Sequence, residues 1–423
     1  MMHSLARGLV RFEIPALTTI YLFFVVSDTV PLVAWIVLAL IWLARAWTTR
    51  QLCAPTAFNM PILVLLALLP INLAVSVDWS LSLPKVSGIL LSVVFFFAIA
   101  SRRDLDAAQF WLAIACGVIA LAGLLGTDWA QSKIISASFI YDQLPRAIQN
   151  IPRSLAGGFS RNGVGGTLAL TIPFLFALII AKRNAGEQGS KGAEEKSPLP
   201  PRPPAPLRML VIASAFALSL ITLALTQSRG GILGTLVGLL TVAVWRERRV
   251  AWAIGAGAFA LIAGIALGYG EAMSAFVLRM DEGAGTLASR LEVWSRGVMM
   301  VQDFPYTGIG LGTYNTVAHA LYPFFIAAPD EVVAHAHNNF LQVAVDLGIP
   351  GLIAYTALHT VFVIGAGRAY RAQPHARALI VGVLAGMLAH QTFGLFDAFM
   401  LGTKPGVLMW IYFALVAVCK TSD

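Results

Sequence analysis

Apolar stretches recur along the whole chain at the length that a membrane-spanning helix needs, roughly 20 residues. A scan for such stretches predicts twelve spans, at about residues 13–27, 30–47, 57–76, 84–100, 106–126, 163–181, 209–226, 231–245, 251–269, 339–366, 377–394 and 401–419. The tenth is long, and we expect it to begin as a shallow helix over 340–347 and to enter the bilayer near Gly348, Pro350 and Gly351. Because the spans lack the period-two alternation of membrane strands, the pattern predicts an all-α polytopic membrane protein.

The composition supports this prediction. Of the 423 residues, 58 % are hydrophobic and 12 % are charged, whereas a soluble domain carries about 25 % charged residues. A soluble enzyme and a secreted, disulfide-stapled module are therefore excluded. The net charge of +8 does not predict a nucleic-acid partner, since Lys and Arg beside membrane spans mark topology first.

The basic residues orient the spans. With the N-terminus in the cytoplasm, 19 of the 29 Lys and Arg residues fall in inside segments. The positive-inside rule then places both termini in the cytoplasm. The chain forms a single transmembrane domain with three long polar segments. They are a disordered cytoplasmic linker over 183–208, a periplasmic loop over 127–162 and a larger periplasmic subdomain over 270–338, with a helical pattern at 289–300.

Arginine dominates the basic residues predicted to lie outside. Of these ten, seven are arginines: Arg146, Arg153, Arg161, Arg229, Arg279, Arg290 and Arg296. The planar guanidinium fork suits bidentate binding of phosphate, which an ammonium group cannot provide. For Arg279 and Arg296, pairing with acidic residues of the 270–338 segment is an open alternative.

Two of these arginines begin predicted spans. Arg161 lies in GGFSRNGVGG before the sixth span, and Arg229 lies in LTQSRGGILG before the eighth. A cation at a helix N-terminus opposes the helix dipole at a cost of about 0.3–1 kcal/mol. An anion bound there by the open backbone N–H groups removes that conflict. An ordinary interfacial turn is the structural alternative for Arg229.

A histidine begins a third span, in the run from His337 to Leu341 (HNNFL). An unperturbed imidazole titrates near pH 6.5, which suits a general base. We read His335 as an interfacial residue. Because no third ligand lies at metal-binding spacing, neither a metal nor another cofactor is expected. Farther on, His390 and Asp397 would share one helical face if the eleventh helix continued, either as functional groups or as a contact between helices.

These motifs resemble those of the O-antigen ligase and polymerase superfamily. The resemblance rests on four ordered motifs across about residues 150–415: GGFSRN, the TQSRGG turn, the loop from Arg290 to Gly312 with its Trp and GxGxG, and HNNFL followed by Gly348 and Gly351. It implies a metal-independent, GT-C-like glycosyltransferase. The implied donor is a glycan on undecaprenyl diphosphate and the implied acceptor is a sugar hydroxyl of lipid A–core, with the site facing the periplasm.

By resemblance, the residues take different roles. Arg161, Arg229 and Arg290 would hold the diphosphate, and His337 would deprotonate or orient the acceptor hydroxyl, with inversion at the anomeric carbon. We also expect substrate contacts from a set of neighbouring residues, namely Asn162, Ser228, Asn338, Arg153, Arg296 and Asp397.

The short tail after the last span favours a ligase over the relatives that glycosylate proteins, and slightly over the repeat-unit polymerases. A lipid-linked sugar transporter is the alternative of a different class. Such a carrier places ionisable residues near the bilayer midplane, whereas here the arginines gather at one predicted face.

Overall fold

The computed structural model of the chain describes residues 9–10, 12–27, 29–101, 105–127, 129, 159–185, 204–269, 287–326, 332–399 and 401–419. Within these ranges the chain is helical and forms no strand, and one isolated bridge joins Thr127 to Phe159. The all-α prediction is confirmed. Most of the predicted linker over 183–208 and most of the loop over 127–162 lie outside the described residues.

Fourteen α-helices follow one another in the described ranges. They are α1 (Glu13–Ser27), α2 (Leu32–Thr49), α3 (Asn59–Val75), α4 (Trp79–Ala100), α5 (Leu105–Gly126), α6 (Arg161–Ala185), α7 (Ala205–Thr226), α8 (Arg229–Arg246), α9 (Arg249–Gly264), α10 (Leu287–Asp303), α11 (Tyr314–Leu321), α12 (Asn339–Ala372), α13 (Arg377–Phe393) and α14 (Gly406–Val418). Each of the twelve predicted spans coincides with one of these helices. The helical pattern at 289–300 is present as α10.

Eight of the described helices are long and apolar enough to cross a membrane: α2, α4, α5, α6, α7, α9, α12 and α13. Helices α1, α3 and α14 are apolar but shorter, and α8 carries an arginine at each end. The protein is therefore a polytopic membrane protein. Not every predicted span reaches full length, since α14 begins only after Pro405.

Helix α6 is the most buried of the spans and packs against α7, α8 and α13. Small residues permit the close approach. A Cβ on Gly234 of α8 would overlap the carbonyl oxygen of Ala389, and one on Gly386 of α13 would overlap that of Leu170. Because lipid tails are as apolar as leucine, association of helices in a membrane depends on this kind of backbone-close packing.

Helix α12 is broken at Gly348, whose φ of 69° is not helical. The loop over residues 305–312, here called the glycine loop, binds the chain on both sides of the break. The Ile309 N–H donates to the Val345 carbonyl (2.9 Å), and the Ile349 N–H donates to the Pro305 carbonyl (2.7 Å). A Cβ on Gly308 would overlap the Asp346 carbonyl. The predicted change of helix at Gly348 is confirmed, and the glycines of GxGxG are explained by contact with the broken helix.

A buried ion pair joins the first two helices. Arg45 Nη1 lies 2.8 Å from Glu13 Oε1, and each side chain is 4 % exposed. The Arg45 guanidinium also lies over the Trp42 ring, 5.2 Å from its centroid. Removing one partner of such a pair leaves an uncompensated buried charge, so the pair fixes how α1 meets α2.

Replacing Glu13 with Gln should lower the free energy of unfolding by about 3 kcal/mol, because Arg45 stays buried without its counter-charge. The matched control is Glu247→Gln, which breaks an exposed pair with Arg249 at 4.0 Å and should cause no measurable change. Thermal unfolding in detergent, followed by tryptophan fluorescence, measures both. Equal melting temperatures for the two variants would contradict the role of the buried pair.

Candidate functional site

Arg161 and Arg229 are the first residues of α6 and α8, as predicted. The two helix starts lie side by side, because a Cβ on Gly165 would lie 2.5 Å from the Cβ of Ser228. Ser228 caps α8, accepting a hydrogen bond from the Gly231 N–H (3.2 Å). The Arg161 guanidinium lies 5.8 Å from the centroid of the Trp129 ring. Two helix N-termini, each with an arginine, thus meet at one place.

The end of α13 packs against the same two helix starts. The Phe393 ring occupies the space that a Cβ on Gly166 would need, and it lies 3.2 Å from the position of a Cβ on Gly230. Phe393 is also the last residue of α13, so the turn that follows it starts beside the arginines. This contact connects the arginine pair to the turn that carries Asp397.

His337 and Asp397 are brought together by the turn between α13 and α14. The Asn339 N–H donates to the Gly394 carbonyl (2.7 Å), and the Asn339 side-chain oxygen accepts from the Phe399 N–H (2.9 Å). His337, two residues before Asn339, then lies with its Nδ1 3.2 Å from Oδ1 of Asp397. The turn therefore presents a carboxylate to the imidazole.

The predicted shared face of His390 and Asp397 is wrong, because α13 ends at Phe393 instead of continuing. His390 is buried and stacks on Phe399, with ring centroids 5.1 Å apart. Asp397 turns away from it toward His337. Of the two residues, only Asp397 joins the candidate site.

His335 is the third member of this cluster. Its Nε2 lies 3.4 Å from the same Asp397 oxygen, and its ring meets that of His337 edge-on at 4.4 Å. Its Nδ1 accepts a hydrogen bond from the His337 backbone N–H (3.3 Å). Since Nδ1 is an acceptor, a neutral His335 carries its proton on Nε2, the ring nitrogen nearest to Asp397. From the sequence, we expect His335 to be an interfacial residue. The one sequence signal for its place in the cluster is that it lies two residues before His337.

Burial lowers the pKa of His335 to about 4, although the charge of Asp397 opposes this effect. His335 is therefore neutral at pH 7. For Asp397, burial raises the pKa, but the hydrogen bond from His337 and the charges of both imidazoles together lower it below its ordinary value. Asp397 is thus an ionised acceptor at neutral pH. In the tautomer whose Nδ1–H donates to this carboxylate, Nε2 of His337 is the ring nitrogen that can accept a hydrogen bond, and the side chain is 29 % exposed.

His335, His337 and Asp397 also form a group that could hold a metal ion, since one ligand atom of each lies within 4.8 Å of the others. The spacing of the histidines did not reveal this third ligand, which comes from the α13–α14 turn. A metal on Nε2 of His335 would compete with the hydrogen bond that Nδ1 accepts from the His337 N–H, because the metal-bound ring carries its proton on Nδ1.

Helix α10 reaches the cluster through Trp294, whose Nε1 donates to the His337 carbonyl (3.4 Å). Arg290 lies one turn before Trp294, hence on the same face of α10. Arg296 is engaged elsewhere: it pairs with Glu292 at 3.5 Å and donates to the Pro323 carbonyl (3.0 Å). For Arg296 the structure favours the alternative of pairing within its own segment.

The remaining residues predicted to contact substrate are Asn162, Asn338 and Arg153. Asn162 follows Arg161 in the first turn of α6 and is half-buried. Asn338 caps α12 by accepting from the Phe340 and Leu341 N–H groups at 3.1 and 3.0 Å. Arg153 lies outside the described residues.

A comparison with known protein families matches the part of the chain that carries several of the site residues. Residues 214–356 match a family model described as O-Antigen ligase. This match confirms the resemblance to that superfamily and supports an activity of the ligase or polymerase type. The matched segment includes Arg229, Arg290 and His337, whereas Arg161 and Asp397 lie outside it. No curated protein matches the chain.

Acid should destabilise the protein through His335. A pKa of about 4 in the folded state, against 6.5 ordinarily, means that the unfolded chain binds the extra proton first. The stabilisation is complete above pH 6.5 and is lost as the pH falls toward 4, by about 2 kcal/mol at pH 5. Thermal unfolding between pH 7.5 and 5 should show a flatter dependence in His335→Asn than in the wild type. The control His375→Asn replaces an exposed histidine; equal slopes in H335N and wild type would contradict the assignment.

Proposed function

We propose that this protein, whose residues 214–356 belong to the O-antigen ligase family, is an O-antigen ligase. In this proposal it transfers a glycan from undecaprenyl diphosphate to a sugar hydroxyl of lipid A–core, at the periplasmic face of the bacterial inner membrane. The observation that carries the proposal is the contact of His337 with Asp397. Asp397 lies on the turn that follows Phe393, and the Phe393 ring packs on the helices that begin with Arg161 and Arg229.

His337 acts as the base. Its Nδ1–H donates a hydrogen bond to Asp397, which fixes the tautomer and stabilises the imidazolium that forms. Nε2 takes the proton of the acceptor hydroxyl while the hydroxyl oxygen bonds to the anomeric carbon. The bond from that carbon to the diphosphate oxygen breaks on the opposite face, and undecaprenyl diphosphate leaves with the electron pair. The configuration at the anomeric carbon is therefore inverted.

The arginines stabilise the leaving group. Arg161 and Arg229 begin adjacent helices, so guanidinium groups and helix N-termini act on the same diphosphate. Arg290, on the Trp294 face of α10, adds a third cation from the segment that holds His337. Fixed positive charge aimed at developing negative charge is the main source of catalysis in this arrangement. It also replaces the electrostatic role that a metal ion has in other diphosphate chemistry.

Related activities differ in the acceptor. A repeat-unit polymerase and a protein O-oligosaccharyltransferase would use the same donor, base and cations. A transporter for lipid-linked sugars is less well supported, because a hydrogen-bonded imidazole–carboxylate pair beside arginines is suited to proton transfer at a reacting bond.

The test of the function is a lipopolysaccharide gel from a strain that lacks the gene. We expect loss of every ladder band, with polymer accumulating on the lipid carrier. A core bearing a single repeat would instead indicate the polymerase. An unchanged ladder would contradict both activities.

In the same strain, Arg229→Lys should reduce transfer by about ten- to a hundredfold. Lysine keeps the charge but loses the bidentate fork, and a hydrogen bond to a charged group contributes about 1.5–3 kcal/mol. The matched control is Arg371→Lys, at the exposed far end of α12. Ladder intensity at equal protein level measures both, and near-normal transfer by R229K would contradict the diphosphate role.

Chelation should leave the rate of a purified transfer reaction unchanged, because protein cations act on the leaving group. The reaction is run with and without EDTA, using isolated lipid-linked donor and lipid A–core. A fall that added divalent metal restores would contradict this mechanism and would point to the ligand atoms of His335, His337 and Asp397.

A further inference from the structure

A cavity of about 420 Å³ lies beside the histidine cluster, between the start of α4 and α11. Its polar lining includes Ser80, Lys85, Asn315 and Thr316, and its wall continues to Ala334. Because Ala334 directly precedes His335, the cavity borders the segment that presents His337. None of these residues was singled out as a substrate contact in the sequence.

The walls of the cavity are held in place by hydrogen bonds. The Asn315 side-chain oxygen accepts from the Val333 N–H (2.8 Å), which ties α11 to the segment before His335. Ser82 Oγ donates to the Leu311 carbonyl (2.7 Å), which ties α4 to the glycine loop. Because the glycine loop runs directly into α11, these bonds connect all the walls of the cavity: α4, the glycine loop with α11, and the segment before His335.

Lys85 has a defined path along this wall. Gly312 has a φ of 78°, and a Cβ there would lie 3.5 Å from Cγ and 3.7 Å from Cε of Lys85. The lysine stem therefore passes close to the loop at Gly312, at a distance where a Cβ would make ordinary van der Waals contact. The Lys85 charge is also near enough to influence His335. A cation therefore lines the cavity within electrostatic reach of His335.

The cavity belongs to different elements from the proposed donor site. Arg161 and Arg229 stand on α6 and α8, whereas the cavity is bounded by α4, α11 and the segment before His335. A transferase with two substrates needs two subsites that meet at the base. One cation with hydroxyl and amide groups suits a sugar that bears an anionic substituent.

We propose that this cavity binds the acceptor saccharide, with Lys85 recognising a phosphate on it. The proposal rests on the proposed function, since it assigns the second substrate of that reaction. It predicts that acceptor binding depends on charge in the cavity, while donor binding does not.

Thr316 provides the test, because it is exposed and lines the cavity. Thr316→Glu places a negative charge there, and Thr316→Gln has nearly the same size without the charge. With purified protein in nanodiscs, the KM for isolated lipid A–core should be about tenfold higher in T316E than in T316Q. The KM for lipid-linked donor should agree between the two. Equal acceptor KM values would overturn the proposal.

Lys85 is tested with the same acceptor before and after removal of its phosphates by hydrofluoric acid. Wild type and Lys85→Arg should prefer the phosphorylated form, and Lys85→Gln should lose that preference while Arg371→Gln keeps it. A preference retained by K85Q would count against recognition by Lys85.

Two controls distinguish a lipid headgroup in the cavity from the acceptor, and a wrong function from a wrong subsite. If the difference between T316E and T316Q vanishes in nanodiscs without anionic lipid, the cavity holds a phospholipid headgroup, and the proposal is wrong. If wild type transfers nothing to lipid A–core, the proposed function fails instead. Direct binding of lipid A–core to T316E and T316Q then still decides what the cavity binds.

Discussion

The site depends on the hydrogen bonds of one buried amide. Asn339, 1 % exposed, binds the α13–α14 turn at two places: its N–H donates to Gly394 and its side-chain oxygen accepts from Phe399. Its side-chain nitrogen donates to Gln391, near the end of α13. A polar group buried without a hydrogen-bond partner costs several kcal/mol, so this set of bonds is strongly determined. Gly394 is required at the contact, because a Cβ there would overlap the Asn339 amide.

That constraint explains how the residues of the candidate site are brought together. The start of α12 carries His337, and the bound turn carries Asp397. Phe393, at the other end of the turn, rests on the helices that begin with Arg161 and Arg229. Base and cations are thus attached to a single packed element, which favours fixed geometry over mobile side chains. Preorganised charge of this kind is effective because no reorganisation is needed during reaction.

How much could be predicted from sequence follows from the range of each interaction. Helix positions, the arginines at helix starts and the break at Gly348 depend on local pattern, and all were predicted. The contact of His337 with Asp397 depends on where α13 ends and on what Asn339 binds, sixty residues from Phe399. No local pattern carries that information. The pairing of Arg296 with Glu292 has helical spacing, so it was open to prediction but competed with the expected anion contact.

The break in α12 has a further consequence for the behaviour of the protein in bilayers of different thickness. At 1.5 Å per residue, residues 349–372 extend about 36 Å, enough to cross a hydrocarbon core of about 30 Å with some tilt. Residues 339–347 extend about 13 Å and cannot cross it. The long half is tied to α13, because the Gln391 side-chain nitrogen contacts both Tyr355 and His359. A change of tilt that matches the surrounding lipid must therefore be made by α12 and α13 together.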